Sequence, residues 1–140
     1  MLKTFEYSFE VKWGDTDAAA IVFFPNFYKW MNEASHHYFA KLGFKPSTLF
    51  EEQKIGMPLL EANCQFKTPL FFEDQVTIFS TITELRNKVI KLEHIFKRGE
   101  TIIAIGSEVR AWTTFEGKPK AIPVPEKLRE NAMLLDEKRV

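Results

Sequence analysis

Two carboxylates stand at the head of an apolar run in residues 13–30, WGDTDAAAIVFFPNFYKW. Asp15 and Asp17 flank Thr16, and Ile21-Val22-Phe23-Phe24 follow before Pro25. Gly-Asp-Thr-Asp is good turn chemistry, because short acceptor side chains bond nearby backbone N–H groups. On that ground alone the two aspartates are solvated turn residues. The apolar segment gives them a second reading. It ties the loop to the core and so sets a carboxylate beside apolar walls. It also leads into a helical pattern opening at Pro25, and the first N–H groups of a helix lack internal acceptors. Such donors polarise a carbonyl oxygen or hold an anion. A carboxylate that attacks or activates water, next to an oxyanion site, is the minimum set for acyl transfer.

The remaining reactive side chains offer less. His36 and His37 are adjacent, so on a helix they point about 100° apart and cannot share a metal ion. His36 falls on the polar face and reads as a solvated histidine. His94 falls on the apolar side of a strand and reads as a core or interface group. Cys64 lies in a strand pattern, where packing is a better account than nucleophilic chemistry. Three histidines and one cysteine at these spacings form no metal set. The chain has no G-x-S-x-G elbow, P-loop or G-x-G-x-x-G. No metal or prosthetic group is therefore expected.

The elements that must position the carboxylates follow from periodicity. Phe5, Tyr7, Phe9, Val11 and Trp13 alternate with polar residues, which predicts a half-buried strand over 5–13. Phe27, Met31, Ala34, Tyr38 and Leu42 then fall on one stripe of a helix running from Pro25 to about Leu42. Leu42-Gly43-Phe44 resembles a glycine-terminated end. A shorter helix is expected over Pro46 to Gln53. Strands are expected near 59–69, 75–84, 88–97 and 101–115. The third turns Ile90, Leu92, His94 and Phe96 to one side, and the last turns Ile103, Ile105, Ser107, Val109 and Ala111 together. Short polar connections at Phe72-Glu73-Asp74, Leu85-Arg86-Asn87 and Arg98-Gly99-Glu100 predict consecutive hairpins, hence an antiparallel meander. After Pro123 and Pro125 a surface helix is expected. One sheet with one long helix to cover it gives an α+β class. Trp112 and Ile102 fall on the outer face, where a second chain or the tail helix must cover them.

Composition sets the bounds. A length of 140 residues favours a single domain, 1–140. Lys plus Arg and Asp plus Glu balance at 19 each, so bulk charge predicts no nucleic-acid partner. One cysteine forbids an internal disulfide and fits a reducing compartment. No apolar run is long enough to span a membrane, and the start of the chain lacks a signal-like core. These features read as a soluble, cytoplasmic protein.

Trp13-Gly14-Asp15-Thr16-Asp17, then Ile21-Val22-Phe23-Phe24-Pro25-Asn26-Phe27, with Trp30 and Ala34-Ser35 beyond, resembles the 4-hydroxybenzoyl-CoA thioesterase family of hotdog-fold proteins. Pro69, Asp74-Gln75-Val76 and Ile122-Pro123-Val124-Pro125 are similar to later landmarks of that family. The resemblance implies a hotdog fold, a long central helix wrapped by a five-stranded antiparallel sheet, and a homo-oligomer, dimer or tetramer. It implies an acyl-CoA thioesterase that releases a free acid and coenzyme A. Asp17 takes the place of the catalytic aspartate, as nucleophile through a mixed anhydride or as general base. Phe24 takes the place whose backbone N–H polarises the thioester carbonyl; tyrosine is common there. Arg86 and Lys88, with Lys91 nearby, take the place of residues that hold the nucleotide end of coenzyme A. Ala20 stands where the family usually has glycine, and Asn32 replaces an acidic residue of the 4-hydroxybenzoyl enzymes. The same fold also accommodates an acyl-carrier-protein thioesterase, a dehydratase or a non-catalytic acyl-binding module.

Overall fold

A computed structural model of the chain describes residues 2–134. Strand β1 (Thr4–Glu10) is followed by a 3-10 turn (Trp13–Asp15), helix α1 (Pro25–Lys41) and helix α2 (Pro46–Gln53). Then come β2 (Ile55–Gly56), β3 (Leu59–Phe66), β4 (Gln75–Leu85), β5 (Val89–Arg98), β6 (Thr101–Ala111), β7 (Thr113–Thr114), β8 (Lys120–Ala121) and α3 (Glu126–Ala132). Five strands form an antiparallel sheet in the order β1-β4-β5-β6-β3, and β2, β7 and β8 form a small second sheet.

Helix α1 begins at Pro25, as expected, and spans 17 residues. The expected stripe is buried, together with Trp30, Ser35 and Phe39. It packs against Val76, Ile78, Phe96 and Ala104 near its start, and against Ile82, Ile90 and Leu92 further along. Gly43 ends it with φ +93°, the left-handed conformation glycine adopts without penalty. Phe44 N–H then reaches Phe39 O at 2.8 Å and Gly43 N–H reaches Ala40 O at 3.0 Å, satisfying carbonyls of the last turn.

The structure corrects three expectations. The first strand stops at Glu10, because Asp15 Oδ2 accepts the Lys12 N–H at 2.8 Å and winds the chain into the 3-10 turn. Trp13, which alternation placed on the buried side, is 73% exposed. The meander is confined to β4-β5-β6. The segment before β4 is a crossover between β3, at one edge, and β4 beside β1. It is fixed along its length: Lys67 and Thr68 N–H donate to Ile103 O, Leu70 is buried, and Glu73 N–H donates to Val11 O. Eight residues between Phe66 and Gln75 suffice to carry the chain across the sheet end.

The third correction concerns β6, where Ile103 and Ala111 are buried as expected but the inner face between 104 and 110 is the reverse of that expected. Ala104, Gly106, Glu108 and Arg110 are buried, while Ile105, Ser107 and Val109 lie on the other side. Gly106 allows α1 to come close, since a Cβ there would lie 2.7 Å from the Met31 sulfur. Trp112 is buried in a cluster with Val124, Leu128 and Ala132 and an edge-on Phe44, so of the two covers expected for it the tail segment is the one present. Ile102 stays 42% exposed. The expected surface helix is α3, and its continuation into 135–140 lies outside the described residues. No helix among the described residues is long and apolar enough to cross a membrane.

Candidate active site

The Asp15–Asp17 stretch folds as a miniature hairpin. Thr16 pairs with Val22, Asp17 N–H donates to Ile21 O at 2.9 Å, and Ala20 N–H donates to Asp17 O at 2.9 Å. Residues 18–20 are therefore a three-residue loop, whose last position takes the left-handed conformation in hairpins of this length. Ala20 takes it, with φ +66°. Asp17 Oδ1 accepts the Ala19 N–H at 2.8 Å, the usual bond of an aspartate opening a turn. Asp17 is exposed, and its Oδ2 bonds to no other group among the described residues.

The second arm of the hairpin feeds α1. Val22 N–H is bound by Leu70 O and Phe23 N–H by Asp15 O, each at 2.9 Å. Asn26 Nδ2 donates to the same Asp15 carbonyl, also at 2.9 Å. The start of the helix holds fewer free donors than the sequence suggested. Asn26 N–H turns back to Phe23 O and Phe27 N–H to Phe24 O, at 3.0 and 3.1 Å. Pro25 has no N–H. In the segment 22–27 only the Phe24 N–H has no acceptor among the described residues.

Beside this donor lies an apolar cleft of about 420 Å³. Ile21, Val22, Phe24 and Phe27 form one wall; Phe66, Pro69 and Leu70 of the crossover form the other. The Phe66 ring meets Phe27 edge-on at 5.0 Å and Phe24 at 6.4 Å. Lys67 is its one charged lining residue. The cleft thus exists because β3 is carried across the sheet end at this point. Phe24 lines it directly. Asp17 does not line it, but sits across the hairpin from Ile21, which does.

The basic turn between β4 and β5 is elsewhere. Lys91 pairs with Val109 and Val89 with Ala111, whereas Phe66 pairs with Ala104. At about 3.3 Å per residue, the turn lies about 23 Å along β6 from the cleft. Arg86 and Lys91 line a separate polar cleft with Glu61 and Glu84. Arg86 Nε donates to Glu84 Oε2 at 2.8 Å in an exposed ion pair, the kind that contributes little. Lys88 is exposed and outside that cleft. Arg129 of α3, unforeseen from the sequence, donates to the carbonyls of Leu85, Arg86 and Asn87 and holds the turn in place.

His94, which the sequence reads as a core or interface group, is buried in a polar cluster whose Glu108 and Arg110 lie on the face of β6 that alternation assigns outward. His94 Nε2 lies 3.1 Å from Ser35 Oγ and 3.2 Å from Glu108 Oε1, and His94 Nδ1 lies 2.7 Å from Ser80 Oγ. Ser35 Oγ also donates to Glu108. Serine, histidine and glutamate are the residue types of a hydrolytic triad, but both partners meet one ring nitrogen and all three side chains are buried. Their role is to join α1 to the sheet. Arg110 completes the cluster, reaching Glu108 Oε2 at 3.1 Å and Asn32 Oδ1 at 2.9 Å. Burial alone would raise the Glu108 pKa. The bonds from His94 and Arg110 outweigh it and hold the carboxyl down at about 2. His36 is exposed and lowered by partial burial and the nearby Arg110 charge. Burial pushes the Cys64 thiol up to about 11, which keeps it protonated and unreactive near neutrality. Among the described residues no cluster of His, Cys, Asp and Glu has the makings of a metal site.

The chain is similar to proteins that act on coenzyme A thioesters. Residues 11–132 match the model of the thioesterase-like superfamily. The 4-hydroxybenzoyl-CoA thioesterase of Pseudomonas sp. (strain CBS-3) is 32% identical, over 82% of this chain and 87% of its own. A solved gentisyl-coenzyme A thioesterase is 49% identical, covering 91% of this chain and 98% of its own with a TM-score of 0.81. An aspartate-to-asparagine mutant of 4-hydroxybenzoyl-CoA thioesterase, complexed with 4-hydroxybenzoyl-CoA, is 28% identical with a TM-score of 0.85, covering 93% and 99%. These neighbours share the α+β architecture with a five-stranded antiparallel sheet, the expected hotdog class. A match over nearly the whole chain and a curated relative of this similarity lead to one conclusion: the chain belongs to the thioesterase-like superfamily.

Proposed function

We propose that this protein is an acyl-CoA thioesterase for aromatic acyl groups. One observation carries the reading: the Phe24 N–H is the unspent donor of the helix start, at an aromatic-walled cleft one hairpin pair from the free Asp17 oxygen. The acyl ring lies between Phe24, Phe27 and Phe66, where edge-on aromatic contacts add to apolar burial. The thioester carbonyl accepts the Phe24 N–H, which stabilises the oxyanion as charge develops. Asp17 delivers the oxygen nucleophile. Either Oδ2 attacks the carbonyl, expels the coenzyme A thiolate and leaves a mixed anhydride that water cleaves, or Oδ2 takes a proton from attacking water. Both routes consume one water and yield the free acid and coenzyme A. Aromatic acyl groups in the names of the relatives support this substrate class.

Arg86 and Lys88 are proposed to hold coenzyme A phosphates by charge-assisted bonds. The distance of their turn from the cleft favours a homo-oligomer in which a neighbouring copy brings its turn to the site. Exposed Leu59 and Leu60 on edge strand β3, with Phe66, Phe23 and Phe24 around the cleft, offer apolar surface for that copy. In this reading 1–140 is one domain, α1 is the central helix around which the sheet curls, and a chain with one cysteine works in the cytoplasm.

The test follows thiol release from short, long and aromatic acyl-CoAs by the wild type and Asp17→Asn. Turnover of an aromatic ester that falls at least ~10²-fold in the folded mutant is expected. Saturable binding of an ester without turnover by the wild type would instead make the protein a binding module.

A further inference from the structure

Ala20 is one of three non-glycine residues with positive φ among the described residues, and it alone lies in the Asp17 hairpin. The left-handed conformation is costly for a residue with a Cβ, and it persists only where the surroundings over-determine it. Here they do. The Ala20 N–H to Asp17 O bond and the Asp17 N–H to Ile21 O bond close the loop on either side of it. If Ala20 returned to negative φ, the chain reversal at Ile21 would be lost and with it the Asp17 N–H to Ile21 O bond. Keeping Thr16 paired with Val22 without that reversal would force the distortion into residues 17–19, drawing the Ala19 N–H away from Asp17 Oδ1. Nothing else fixes the carboxylate, because Ala18, Ala19 and Ala20 are all exposed and Asp17 makes no ion pair among the described residues.

We infer that Ala20 is a positioning residue for Asp17: its left-handed backbone keeps the loop closed, so that Oδ1 stays on Ala19 N–H and Oδ2 alone faces the reaction. The inference rests on the thioesterase reading of the site. It makes a specific claim about position 20: tolerance of positive φ matters there, and side-chain size does not. The exposed loop leaves room for a larger side chain, but a β-branched one cannot hold the conformation.

Ala20→Asn and Ala20→Val separate the two. Both enlarge the side chain, but asparagine visits the left-handed region and valine does not. Steady-state kinetics on the best acyl-CoA should show Ala20→Asn and Ala20→Gly retaining most of the turnover. Ala20→Val should lose at least ~5-fold in kcat with little change in KM, the factor expected from the added conformational cost. Amide hydrogen exchange provides a readout independent of activity. Protection of the Asp17 and Ala19 amides should persist in the asparagine variant and vanish in the valine variant, while the amides of α1 stay protected. Equal losses for Asn and Val would mean crowding and overturn the inference, as would wild-type kcat or undiminished loop protection in Ala20→Val. A wild type that hydrolyses no ester defeats the thioesterase reading and the catalytic half of this one; the exchange pattern then still decides whether Ala20 closes the loop.

Discussion

Met31 sits directly over Gly106: a Cβ on residue 106 would approach its sulfur to 2.7 Å and its methyl carbon to 2.9 Å. The 106 position also faces the Asn63 carbonyl at 3.2 Å, on the neighbouring strand. A methionine can shift, but a backbone carbonyl within a ladder cannot do so freely. Gly106→Ala should therefore lower unfolding stability by about 1–3 kcal/mol, the usual range for overpacking. Urea denaturation measures it. A variant as stable as the wild type would mean that α1 rides higher over β6 than the structure places it.

Phe24 contributes a ring and an N–H, and two substitutions separate them. Its φ of −56° is one that proline adopts, so Phe24→Pro removes the donor while retaining that angle. It should reduce kcat by about 10²–10³-fold, the effect of deleting an oxyanion donor. Phe24→Ala keeps the N–H and should act chiefly on KM. Kinetics on one aromatic acyl-CoA, with circular dichroism as the check on folding, distinguish these outcomes from a role for the ring alone.

Glu108 titrates well below an ordinary glutamate, at about 2 against 4.5 in the open chain. Its folded form is thus the poorer proton binder, so its contribution to stability is complete above the unfolded value and shrinks as pH falls from there toward 2. Thermal melts of the wild type should lose stability across that window. Glu108→Gln should flatten this part of the profile. It should also cost about 3–5 kcal/mol near neutral pH, because the buried Arg110 guanidinium is left without its counter-charge.

Arg86→Ala with Lys88→Ala should raise KM for an acyl-CoA severalfold without lowering kcat, since the phosphates are remote from the thioester. The matching pantetheine thioester, which lacks the nucleotide, should be hydrolysed equally well by both proteins. Charge-assisted contacts of this exposed kind weaken with salt, so the difference in KM should narrow as ionic strength rises. Equal KM values for acyl-CoA at low salt would remove these residues from the site.

The parts of the fold written in local pattern were legible in the sequence. Pro25, the Phe27 to Leu42 stripe and Gly43 mark α1, because helix ends and faces are encoded within a few residues. Asp17 could be placed in the loop before α1 and Phe24 at the start of the helix for the same reason, whereas the hairpin between them could not. What failed was long-range. Phe72-Glu73-Asp74 reads as a hairpin connection whether the next strand lies beside the last or across the sheet, since turn chemistry does not specify the partner. On β6 the alternation Ile105, Ser107, Val109 pointed to the wrong face. Gly106, Glu108 and Arg110 occupy the inner one, where close helix approach and a self-contained polar cluster take the place of apolar side chains. Trp13 broke the strand pattern because the Asp15 carboxylate bonds back to Lys12 N–H.

The position of β3 bears on how the molecule is made. Its hydrogen-bonding partner is β6, with Cys64 opposite Gly106 and Phe66 opposite Ala104. A ribosome delivers Leu59–Phe66 well before that partner exists, and the intervening β4-β5-β6 ladder can pair locally in the meantime. The edge strand, with its exposed Leu59, Leu60 and Phe66, is then the late arrival in folding. The aromatic cleft closes only with it, so Phe66, proposed to receive the acyl group, is in the nascent chain among the residues most in need of shielding from other chains.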